Sequence, residues 1–479
     1  MLVSMNVASI SRKTKIVVTI GPASADRETV RRLLVAGMNV ARINTSHADQ
    51  QEIGALITTL RAVAKEEDYL LGILLDLSGP KIRVDNIPAE GRKLTTGDQF
   101  ILGHGDLVDI AVRPDVEFKG VEEHARVMLD DGRLELQVLE RLSSSALRVE
   151  VVYGGLLEAN KGVNFPGIAL GVPSLTAKDE ANLRFGLAQG IDWVALSFVR
   201  SPEDRQALDK IFDEEGIRVP VMAKIEKPEA VARLDEIIEV FDGIMVARGD
   251  LGVEMPLDEV PLIQKRIILQ CNTAGKPVVT ATQLLDSMVT APTPTRAEVN
   301  DVANAIIDGT DALMLSNETA VGSYPVKAVE TLHSIACTIE RATVGDQAKR
   351  RSGDYKHTLS TSISHAACTV ADDIGVSVIV TMTHSGVTTR GVSRFRPKST
   401  IVALSPNVST CQQLQLSWGV IPLSVEEYPN TDEMITHAER IILDKGFITP
   451  GSYFVFTAGV PIGRSGTTNL LKVQQAGSA

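Results

Sequence analysis

Residues 219–252 read VPVMAKIEKPEAVARLDEIIEVFDGIMVARGDLG. An apolar run, Val219 to Ile225, precedes a stretch with apolar residues at helical spacing, Pro228 to Val240, and a second apolar run, Gly243 to Ala247. This order of strand, helix and strand is typical of parallel strands that are buried on both faces. Lys-Ile-Glu ends the first run and Arg-Gly-Asp follows the second. The segment therefore predicts a parallel α/β architecture with functional groups at the carboxyl ends of its strands.

The same pattern recurs along the chain. Eight apolar runs rich in Val, Ile and Leu occur, most of them followed by a helical stretch, and they predict a closed (β/α)8 TIM barrel. The predicted strands are Lys15 to Ile20, Met38 to Ile43, Leu71 to Leu77, Trp193 to Phe198, Val219 to Ile225, Gly243 to Ala247, Pro277 to Thr282 and Ala312 to Ser316. Another helix is predicted from Asp301 to Asp308, with Gly309 as its C-terminal cap.

Two segments lie outside this pattern. Residues 84–171 lack helical periodicity and contain the hairpin signal Asp131-Gly132, so they predict an inserted β-barrel domain that covers the barrel mouth as a lid. After a predicted helix at Pro325 to Arg341, a second α/β pattern follows. Its predicted strands are Val378 to Met382, Thr400 to Leu404, Tyr453 to Thr457 and Asn469 to Val473. The predicted division is an N-terminal extension at 1–13, the barrel at 14–83 and 172–345, the lid at 84–171 and a C-terminal α/β domain at 346–479.

Composition excludes several classes of protein. The 479 residues carry a formal charge of −12, which opposes non-specific binding to nucleic acids or anionic membranes. Four dispersed cysteines argue against a disulfide framework and a thiolate zinc site. No apolar stretch predicts a signal peptide or a transmembrane helix, so we expect a cytoplasmic protein.

Charged side chains stand at the ends of two neighbouring predicted strands. Lys224 and Glu226 are two residues apart in a strand and point to the same side, and Asp250 follows the next strand. Two carboxylates suit a Mg²⁺ or Mn²⁺ ion that keeps positions free for water and substrate oxygens. A Lys-Glu ion pair that caps the barrel is the structural alternative. The turn at Gly249 would expose backbone N–H groups that bind carboxylate or phosphate oxygens, although a plain turn explains it equally well in isolation.

Cations at the predicted barrel mouth indicate a phosphorylated substrate. They are Arg42, Lys81, Arg83, Lys224 and Arg248. Cations mixed with acids are what metal-assisted phosphoryl transfer requires, because that chemistry depends on positioning and charge stabilisation. The alternative is that the neighbouring acids only neutralise these cations. No P-loop motif occurs, so the sequence does not support a nucleotide site of that kind.

Several of these runs resemble pyruvate kinase. They are Thr14 to Ser24, Gly37 to His47, Met222 to Glu226, Met245 to Gly252, Ala274 to Gln283, Pro294 to Glu298 and Asp301 to Ala305. The resemblance covers nearly the whole chain, including Asp130 to Gly132 and Lys161 to Asn164 in the inserted segment. It implies transfer of the phosphoryl group of phosphoenolpyruvate to ADP, which gives pyruvate and ATP in the last step of glycolysis.

The resemblance also implies roles for the strand-end residues. Glu226 and Asp250 would hold the divalent metal, and Lys224 and Arg42 would neutralise the phosphoryl group in transit. The amides around Gly249 and Asp250, together with Thr282, would bind the substrate carboxylate. The enolate that remains must be protonated, and the candidates for this water relay are Thr282 and Ser316. The residues that would face the nucleotide under the closing lid are Asn44, His47, Arg83 and Lys161.

One departure from the family concerns monovalent ions. Many members need K⁺, held by residues that match Asn44, Ser46, Asp76 and the backbone carbonyl of Leu77, and they carry Glu where this chain has Lys81. An ammonium group about 4 Å from an acid gains roughly 4 kcal/mol at an effective dielectric constant near 20. Our hypothesis is that Lys81 supplies the missing cation and that activity does not need K⁺. The alternative is that Lys81 points to solvent.

The C-terminal segment contains a candidate effector site. A loop between a predicted strand and helix offers hydroxyls and amides that could bind a phosphate group, and a later loop adds one cation. These residues are Thr383, His384, Ser385, Gly386, Thr388 and Arg464. The resemblance implies allosteric activation by a phosphorylated small molecule, and also a homotetramer. An inert turn is the competing interpretation.

Two other functions fit parts of the pattern. A lyase or aldolase could use the same Lys, Glu and Asp to stabilise a pyruvate enolate without a nucleotide, but the lid with Arg83 and Lys161 argues against it. A sugar-phosphate sensor without catalytic activity would not need Lys224, Glu226 and Thr282. The sequence therefore favours a Mg²⁺-dependent phosphotransferase.

Overall fold

The computed structural model describes residues 12–46, 48–105, 107–168, 170–350, 355–461 and 468–477, without the side chains of 344–350. The first strands are β1 (Lys15–Thr19), β2 (Val40–Asn44) and β3 (Gly72–Leu77). The inserted segment forms β4 (Arg83–Val84), β5 (Arg92–Leu94), β6 (Gln99–Gly103), β7 (Ile110–Arg113), β8 (Arg126–Leu129), β9 (Leu134–Arg141), β10 (Ala146–Tyr153), β11 (Gly155–Leu157) and β12 (Val163–Asn164). The next strands are β13 (Trp193–Leu196), β14 (Val221–Ile225), β15 (Gly243–Ala247), β16 (Val278–Ala281) and β17 (Ala312–Leu315). The C-terminal strands are β18 (Val378–Met382), β19 (Thr400–Ser405), β20 (Val420–Ser424), β21 (Tyr453–Gly459) and β22 (Thr468–Gln475).

Helices follow most of the barrel strands. Those of the barrel region are α1 (Arg27–Ala36), α2 (Gln50–Glu66), α3 (Ala177–Ala188), α4 (Arg205–Glu215), α5 (Pro228–Ala232), α6 (Leu234–Val240), α7 (Arg248–Glu254), α8 (Val260–Ala274), α9 (Arg296–Asp308), α10 (Asn317–Ala320) and α11 (Pro325–Arg350). Those of the C-terminal region are α12 (Leu359–Asp373), α13 (Val387–Ser393), α14 (Val408–Gln413) and α15 (Thr431–Asp444). None of the helices in the described ranges combines the length and the apolar character that crossing a membrane requires.

The barrel closes as predicted. Strands β1, β2, β3 and β13 to β17 pair in parallel with their neighbours around a closed ring, and β17 pairs again with β1. Each strand is buried along nearly its whole length because side chains inside the barrel and helices outside it cover both faces. All eight predicted strands, and the predicted (β/α)8 architecture, are confirmed.

Helix boundaries in the barrel differ from the prediction for α9 and for α5 with α6, and α11 differs as described below. Helix α9 begins at Arg296 rather than Asp301, because Thr295 and Glu298 form a capping box that the periodicity alone does not reveal. Gly309 caps this helix in the left-handed conformation, as predicted. The predicted single helix from Pro228 to Val240 is divided into α5 and α6, because Arg233 leaves helical geometry with φ −106° and ψ 25°.

The inserted segment folds as a β-barrel. Its seven-stranded sheet runs from β12 to β4, and a bridge between Arg83 and Gly162 joins those two edges. The predicted hairpin at Asp131-Gly132 is present between β8 and β9, where Asp130, Asp131 and Gly132 all adopt positive φ. These three positions favour glycine and aspartate, which tolerate the left-handed region.

The C-terminal region is a five-stranded sheet in the order β20-β19-β18-β21-β22, with only β22 antiparallel. The four predicted strands are present, but β20 was not predicted because Pro422 interrupts its short apolar run. A proline is tolerated there since β20 is an edge strand. Helix α11 continues to Arg350, beyond the predicted end at Arg341, so the predicted boundary after residue 345 falls inside this helix.

The C-terminal region closes the base of the barrel, at the amino ends of its strands. Leu416 lies in the same buried cluster as the inward-facing barrel residues Trp193 and Met222. The indole Nε1 of Trp193 donates to the carbonyl of Gln413 at 3.1 Å, and Lys15 Nζ donates to the carbonyl of Val420 at 2.6 Å. The carboxyl ends of the barrel strands thus form a polar mouth, and the C-terminal region covers their amino ends.

Candidate active site

A buried network of charges lies at the mouth of the barrel. Lys224 Nζ, near the end of β14, is 3.0 Å from Glu226 Oε1 and 3.3 Å from Asp76 Oδ1. Arg42, on β2, donates from Nε to Asp76 Oδ2 at 2.7 Å. Asp76 therefore lies between the two cations and holds both in place. Two preorganised positive charges of this kind are suited to bind a dianionic group.

Burial and charge act in opposite directions on these groups. Burial disfavours the ionised form of Asp76, but Lys224 and Arg42 outweigh it and hold the pKa of Asp76 below its ordinary value. Burial likewise opposes the charge of Lys224, and the two carboxylates outweigh it, so the pKa of Lys224 is raised. At neutral pH Lys224 is a fixed cation.

Ser197 is a supporting residue that the sequence interpretation missed. Its hydroxyl accepts from Lys224 Nζ at 2.7 Å and donates to the carbonyl of Leu77 at 2.7 Å. The ammonium group of Lys224 is thus oriented by a third oxygen. The only sequence signal for Ser197 is that it is a polar residue at the end of a predicted strand.

Glu226 and Asp250 are the candidate metal ligands. Burial raises the pKa of Glu226, Lys224 opposes the shift, and the charge of Asp250 adds to it. The Phe198 amide donates to Glu226 Oε2 at 2.8 Å and leaves Oε1 facing Lys224. Within the described ranges no cluster of three or more His, Cys, Asp or Glu residues could hold a metal by itself. Two carboxylates fit Mg²⁺ or Mn²⁺, which take their other ligands from water and substrate.

The turn after β15 presents Gly249 to Thr282. The Gly249 amide donates to Thr282 Oγ1 at 2.7 Å, and that hydroxyl donates to the Ala281 carbonyl at 2.6 Å. Thr282 has φ +69°, a strained conformation for a β-branched residue that functional sites often contain. A substrate carboxylate that binds the Gly249 amide must replace the Thr282 hydroxyl as its acceptor.

Arg248 does not join the other cations at the mouth. Its Nη1 donates to Asp301 Oδ1 at 2.7 Å and its Nη2 donates to the carbonyl of Thr282 at 2.8 Å. The prediction that Arg248 faces the mouth is therefore wrong, because α9 supplies a carboxylate behind the turn. Arg248 instead fixes the strained backbone of Thr282.

Ser316 lies at the end of β17. Its Oγ is buried and has no hydrogen-bond partner among the described residues. The backbone amides of Ser316 and Leu285 donate to Glu318, at 2.7 and 3.2 Å. Burial raises the pKa of Glu318, although these amides oppose the shift. An unpartnered buried hydroxyl at the mouth is chemically free to hold a water molecule or a substrate group.

Two of the predicted nucleotide residues, Arg83 and Lys161, lie together on the lid. Arg83 Nη1 donates to the Asn160 carbonyl at 2.7 Å, and Lys161 Nζ is 2.9 Å from Asp130 Oδ1. The hydrogen bond to Asp130 raises the pKa of Lys161. Asn44 is on β2, where its Oδ1 accepts from the Ser46 amide at 3.1 Å, and His47 lies outside the described residues.

Lys81 faces acids other than those of the predicted K⁺ pocket. Its Nζ is 3.6 Å from Asp250 Oδ1 and 3.8 Å from Asp131 Oδ1 of the lid hairpin. Within the described ranges no ion pair joins Lys81 to Asp76, whose carboxylate is engaged by Arg42 and Lys224. Lys81 therefore places a positive charge between the lid and a candidate metal ligand.

A second contact between the lid and the barrel centres on Glu254. Its Oε1 accepts from Lys227 Nζ at 2.6 Å and from Asn164 Nδ2, on lid strand β12, at 2.8 Å. Its side chain is 1% exposed. Glu254 belongs to α7, the short helix that also carries Gly249 and Asp250. This lid contact was missed because nothing in the sequence relates residues 164 and 254.

Four of the predicted effector residues, Thr383 to Gly386, form the loop between β18 and α13, and Thr388 lies in the first turn of α13. Thr383 Oγ1 accepts from the Gly386 amide at 2.9 Å, and the carbonyl of His384 accepts from Thr410 Oγ1 at 2.8 Å. Thr388 Oγ1 lies 2.8 Å from Thr468 Oγ1, and both residues are buried. The structure thus brings Thr383 to Thr388 together, while Arg464 lies outside the described residues.

Comparison with known proteins identifies the family. Residues 11–329 match the family model of the pyruvate kinase barrel domain, and residues 361–474 match that of the pyruvate kinase alpha/beta domain. Pyruvate kinase 2 of Synechocystis sp. is 44% identical over 484 residues, which cover 98% of this chain and 80% of that protein. Pyruvate kinase of Geobacillus stearothermophilus is 43% identical, covering 97% of this chain and 80% of its own. Pyruvate kinase of Staphylococcus aureus (strain MRSA252) is 41% identical, covering 97% and 81%. The chain therefore belongs to the pyruvate kinase family of phosphotransferases.

Proposed function

We propose that this enzyme transfers the phosphoryl group of phosphoenolpyruvate to ADP at the Lys224 network. The observation that carries the proposal is the pair of buried cations, Lys224 and Arg42, held on either side of Asp76. In the reaction the bond between phosphorus and the enol oxygen breaks, and a bond forms to a β-phosphate oxygen of ADP. The enolate that is left takes a proton at its methylene carbon and becomes pyruvate. The charge on the phosphoryl group in transit is stabilised by Lys224 and Arg42.

Glu226 and Asp250 would hold the divalent ion, Mg²⁺ or Mn²⁺. When bound, the ion neutralises negative charge on substrate oxygens. The position of Lys224 between Glu226 and Asp76 supports this assignment, because the ammonium group opposes the rise in the pKa of Glu226 that burial causes. The Gly249 amide and Thr282 would bind and orient the substrate carboxylate.

Thr282 and Ser316 are the proposed carriers of the proton relay to the enolate. The buried, unpartnered hydroxyl of Ser316 supports its part in the relay, since it has hydrogen-bonding capacity to give to a water molecule. Thr282 already shares its hydroxyl between the Gly249 amide and the Ala281 carbonyl. Ser316→Ala should therefore slow exchange of the pyruvate methyl protons more than it slows phosphoryl transfer.

Asn44, His47, Arg83 and Lys161 are the proposed nucleotide-binding residues. Arg83 and Lys161 lie on the lid, so closure of the lid would carry two cations toward the ADP phosphates. Water excluded by that closure no longer competes with ADP for the phosphoryl group. Two contacts support a lid that docks on the barrel, Lys81 with Asp131 of the lid hairpin and Glu254 of α7 with Asn164 of the lid.

We propose that activity does not need K⁺, because Lys81 supplies a positive charge beside the metal site. The distance of 3.6 Å from Lys81 Nζ to Asp250 Oδ1 supports this hypothesis. The positive charge of Lys81 would therefore act on Asp250. It would not occupy the K⁺ pocket that Asn44, Ser46, Asp76 and the Leu77 carbonyl would form. A Lys-to-Glu change at position 81 would put a third carboxylate near Asp250 and Asp131 and create a need for an added cation.

The deciding experiment measures pyruvate formation from phosphoenolpyruvate and ADP with Mg²⁺ in tetramethylammonium buffer, before and after addition of KCl. We expect full activity before KCl, and K⁺-dependent activity in Lys81→Glu. The matched control is Lys93→Glu, the same charge change at an exposed lid residue, which should behave as the unmodified enzyme. Activity only after KCl in the unmodified enzyme would reject the Lys81 hypothesis and keep the kinase. Inactivity in both buffers, with sugar phosphates present, would reject the proposed reaction.

Regulation and assembly are further parts of the proposal. A phosphorylated small molecule would bind Thr383 to Thr388 with Arg464 and activate the enzyme. A homotetramer is supported by exposed apolar residues, Leu262 and Leu269, one above the other on α8. Light scattering should give four times the chain mass of 51.5 kDa. Alanine at both leucines should lower that mass.

The predicted domain limits and location remain proposals. The limits are an N-terminal extension at 1–13, a catalytic barrel at 14–83 and 172–345, a lid at 84–171 and a regulatory region at 346–479. The limits at 83/84 and 345/346 fall inside β4 and α11, so limited proteolysis that cuts first outside these two elements would move those limits. A cytoplasmic location would be tested by fractionation of the source cells.

A further inference from the structure

Two linkers join the lid to the barrel, one after β3 and one before α3. In the first linker, Ile82 packs against the buried apolar cluster of the lid, and its carbonyl accepts from the Val163 amide at 2.9 Å. In the second linker, Ile168 and Leu170 pack against the same cluster. These parts of both linkers therefore belong to the lid.

The second linker passes to the barrel at Val172. The side chain of Val172 still packs against the lid cluster, but its carbonyl accepts from Arg200 Nη2 of the barrel at 2.6 Å. Two residues later, the Ser174 hydroxyl donates to Asp204 Oδ1 at 2.9 Å. The change from lid to barrel in this linker therefore lies beside Gly171.

A glycine in the left-handed conformation stands at this change in each linker. Gly171 has φ +67°, and Gly79 of the first linker has φ +66°. A Cβ atom at Gly79 would lie 2.5 Å from the Phe198 ring, so both the backbone conformation and the space require glycine there. Hinges consist of a few such loop residues that absorb changes in φ and ψ. The geometry therefore allows the lid to turn as one body about these two glycines.

Asp179 joins the two linkers on the barrel side of the glycines. Its Oδ1 accepts from the Ser78 amide, directly before Gly79, at 2.9 Å. Its Oδ2 accepts from the amide and the hydroxyl of Thr176, at 3.1 and 2.6 Å. Asp179 is fully buried, and in the part of the chain that the structure describes no cation lies within 4.0 Å of it. Hydrogen bonds from both linkers thus satisfy a buried carboxylate that lacks an ionic partner.

The capping box of α3 accounts for only part of these contacts. Thr176 is the N-cap of α3, and Asp179 is the third residue of the helix, so their mutual hydrogen bonds form that box. The bond to Ser78 is not needed for the cap, and it connects residues 101 positions apart. A residue that served only to begin the helix would not require it.

We propose that Asp179 is a positioning residue for the nucleotide. It fixes the two linkers relative to each other, so that the lid closes in the one orientation that brings Arg83 and Lys161 to ADP. This inference rests on the proposed closure of the lid over ADP and adds the residue that guides it. Asp179 itself does not contact the reacting groups.

The kinetic test compares two variants that both damage the capping box. Thr176→Val removes the hydroxyl but keeps the bond from Ser78 to Asp179, whereas Asp179→Ala removes both. We expect Asp179→Ala to raise the KM for ADP by about tenfold, the equivalent of one charged hydrogen bond, and to change the KM for phosphoenolpyruvate by less than about twofold. Thr176→Val should leave both KM values unchanged. Equal effects of the two variants on the KM for ADP, or equal effects of Asp179→Ala on both substrates, would overturn the proposal.

Hydrogen exchange followed by mass spectrometry tests the linkers without substrates and without dependence on activity. Asp179→Ala frees the Ser78 amide, so exchange in the peptide that contains it should become about tenfold faster or more, and Thr176→Val should not have this effect. Unchanged exchange in Asp179→Ala would overturn the proposal even in an active kinase. Faster exchange together with an inactive unmodified enzyme would reject the proposed reaction and support the joining of the linkers by Asp179. If circular dichroism shows that Asp179→Ala is unfolded, Asp179→Asn, which keeps the size but only one acceptor oxygen, should give the same changes to a smaller degree.

Discussion

At the two ends of the barrel the pKa of a buried lysine is shifted in opposite directions. At the mouth, Lys224 lies between two carboxylates, and its pKa is raised in spite of burial. At the base, Lys15 donates to the Val420 carbonyl, and burial, reinforced by Arg12, lowers its pKa to about 7. The barrel thus carries a fixed cation at its mouth, on β14, and at its base, on β1, an amine whose charged form is disfavoured. The direction of the pKa shift depends on whether neighbouring carboxylates outweigh burial, as they do at Lys224, or fail to, as Glu340 does at Lys15.

The comparison suggests that charged residues at the mouth serve catalysis and that charged residues at the base serve stability. Charges at the mouth are close to each other and to substrate oxygens, so removing one changes reactivity. Charges at the base, such as the buried pair of Arg396 and Asp311, connect the barrel to the C-terminal region. Removing one of those changes the free energy of unfolding. The four predictions below test this division.

The largest effect is expected for Lys224→Met. Loss of the cation that faces the phosphoryl group should lower kcat by about 10⁴-fold, comparable to loss of an arginine that stabilises phosphoryl transfer. Steady-state pyruvate formation measures it. The thermal midpoint should change little, because Glu226 can take up a proton once its cationic partner is gone. A thermal midpoint that collapses together with kcat would contradict the division.

Arg396→Met should act mainly on stability. Its guanidinium is fully buried, 2.9 Å from Asp311, so the variant leaves a buried unpaired carboxylate and should lose about 3–5 kcal/mol of unfolding free energy. Urea titration followed by circular dichroism measures the loss. The double variant with Asp311→Asn should recover part of it. At low temperature the folded single variant should keep its kcat, and a large fall in kcat would show that the base takes part in catalysis.

Lys15 predicts a pH dependence of stability. Its folded-state pKa is about 7 and the ordinary value is 10.5, so between these limits the unfolded chain holds a proton that the folded protein has released. Stability from this group is therefore constant below pH 7 and rises with pH above it, by up to about 1.4 kcal/mol per unit. Urea titrations at pH 7 and pH 9 measure the difference. Lys15→Met should reduce that rise, and an unchanged rise would assign it to other groups.

The smallest effect is expected for Glu254→Gln, at the contact between the lid and α7. The amide keeps the size of the side chain but loses the charge that holds Lys227 and Asn164. We expect kcat/KM for ADP to fall by about tenfold, the equivalent of one charged hydrogen bond. The KM for phosphoenolpyruvate should change less. An equal effect on both substrates would indicate damage to α7 itself rather than weaker lid docking.

Sequence reasoning succeeded where the signal is local. The barrel strands follow from short apolar runs, and the residues at their ends, such as Asp76, Lys224 and Glu226, could be assigned to one site because parallel strands end on the same side. The inserted β-barrel followed from a loss of helical periodicity and one hairpin signal. The resemblance to pyruvate kinase, now confirmed by the family models, supplied the reaction.

The rest depends on contacts between distant parts of the chain. Arg248 follows a strand as Lys224 does, yet Asp301 attracts it away from the mouth. Asn164 and Glu254 meet only because the lid docks on the barrel. The strand at Val420–Ser424 pairs with β19 in spite of Pro422. In each case the partner across space decides the outcome, and no local pattern encodes it.

The position of Leu416 has a consequence for how the chain folds during synthesis. Every strand of the barrel has been made by residue 315, yet one side chain of its inner apolar cluster comes from residue 416. A ribosome adding about 5–20 residues per second releases the barrel strands seconds before that side chain exists. During that interval the apolar lower layer lies open to water. A nascent chain of this enzyme should therefore bind chaperones most strongly while its last quarter is being translated.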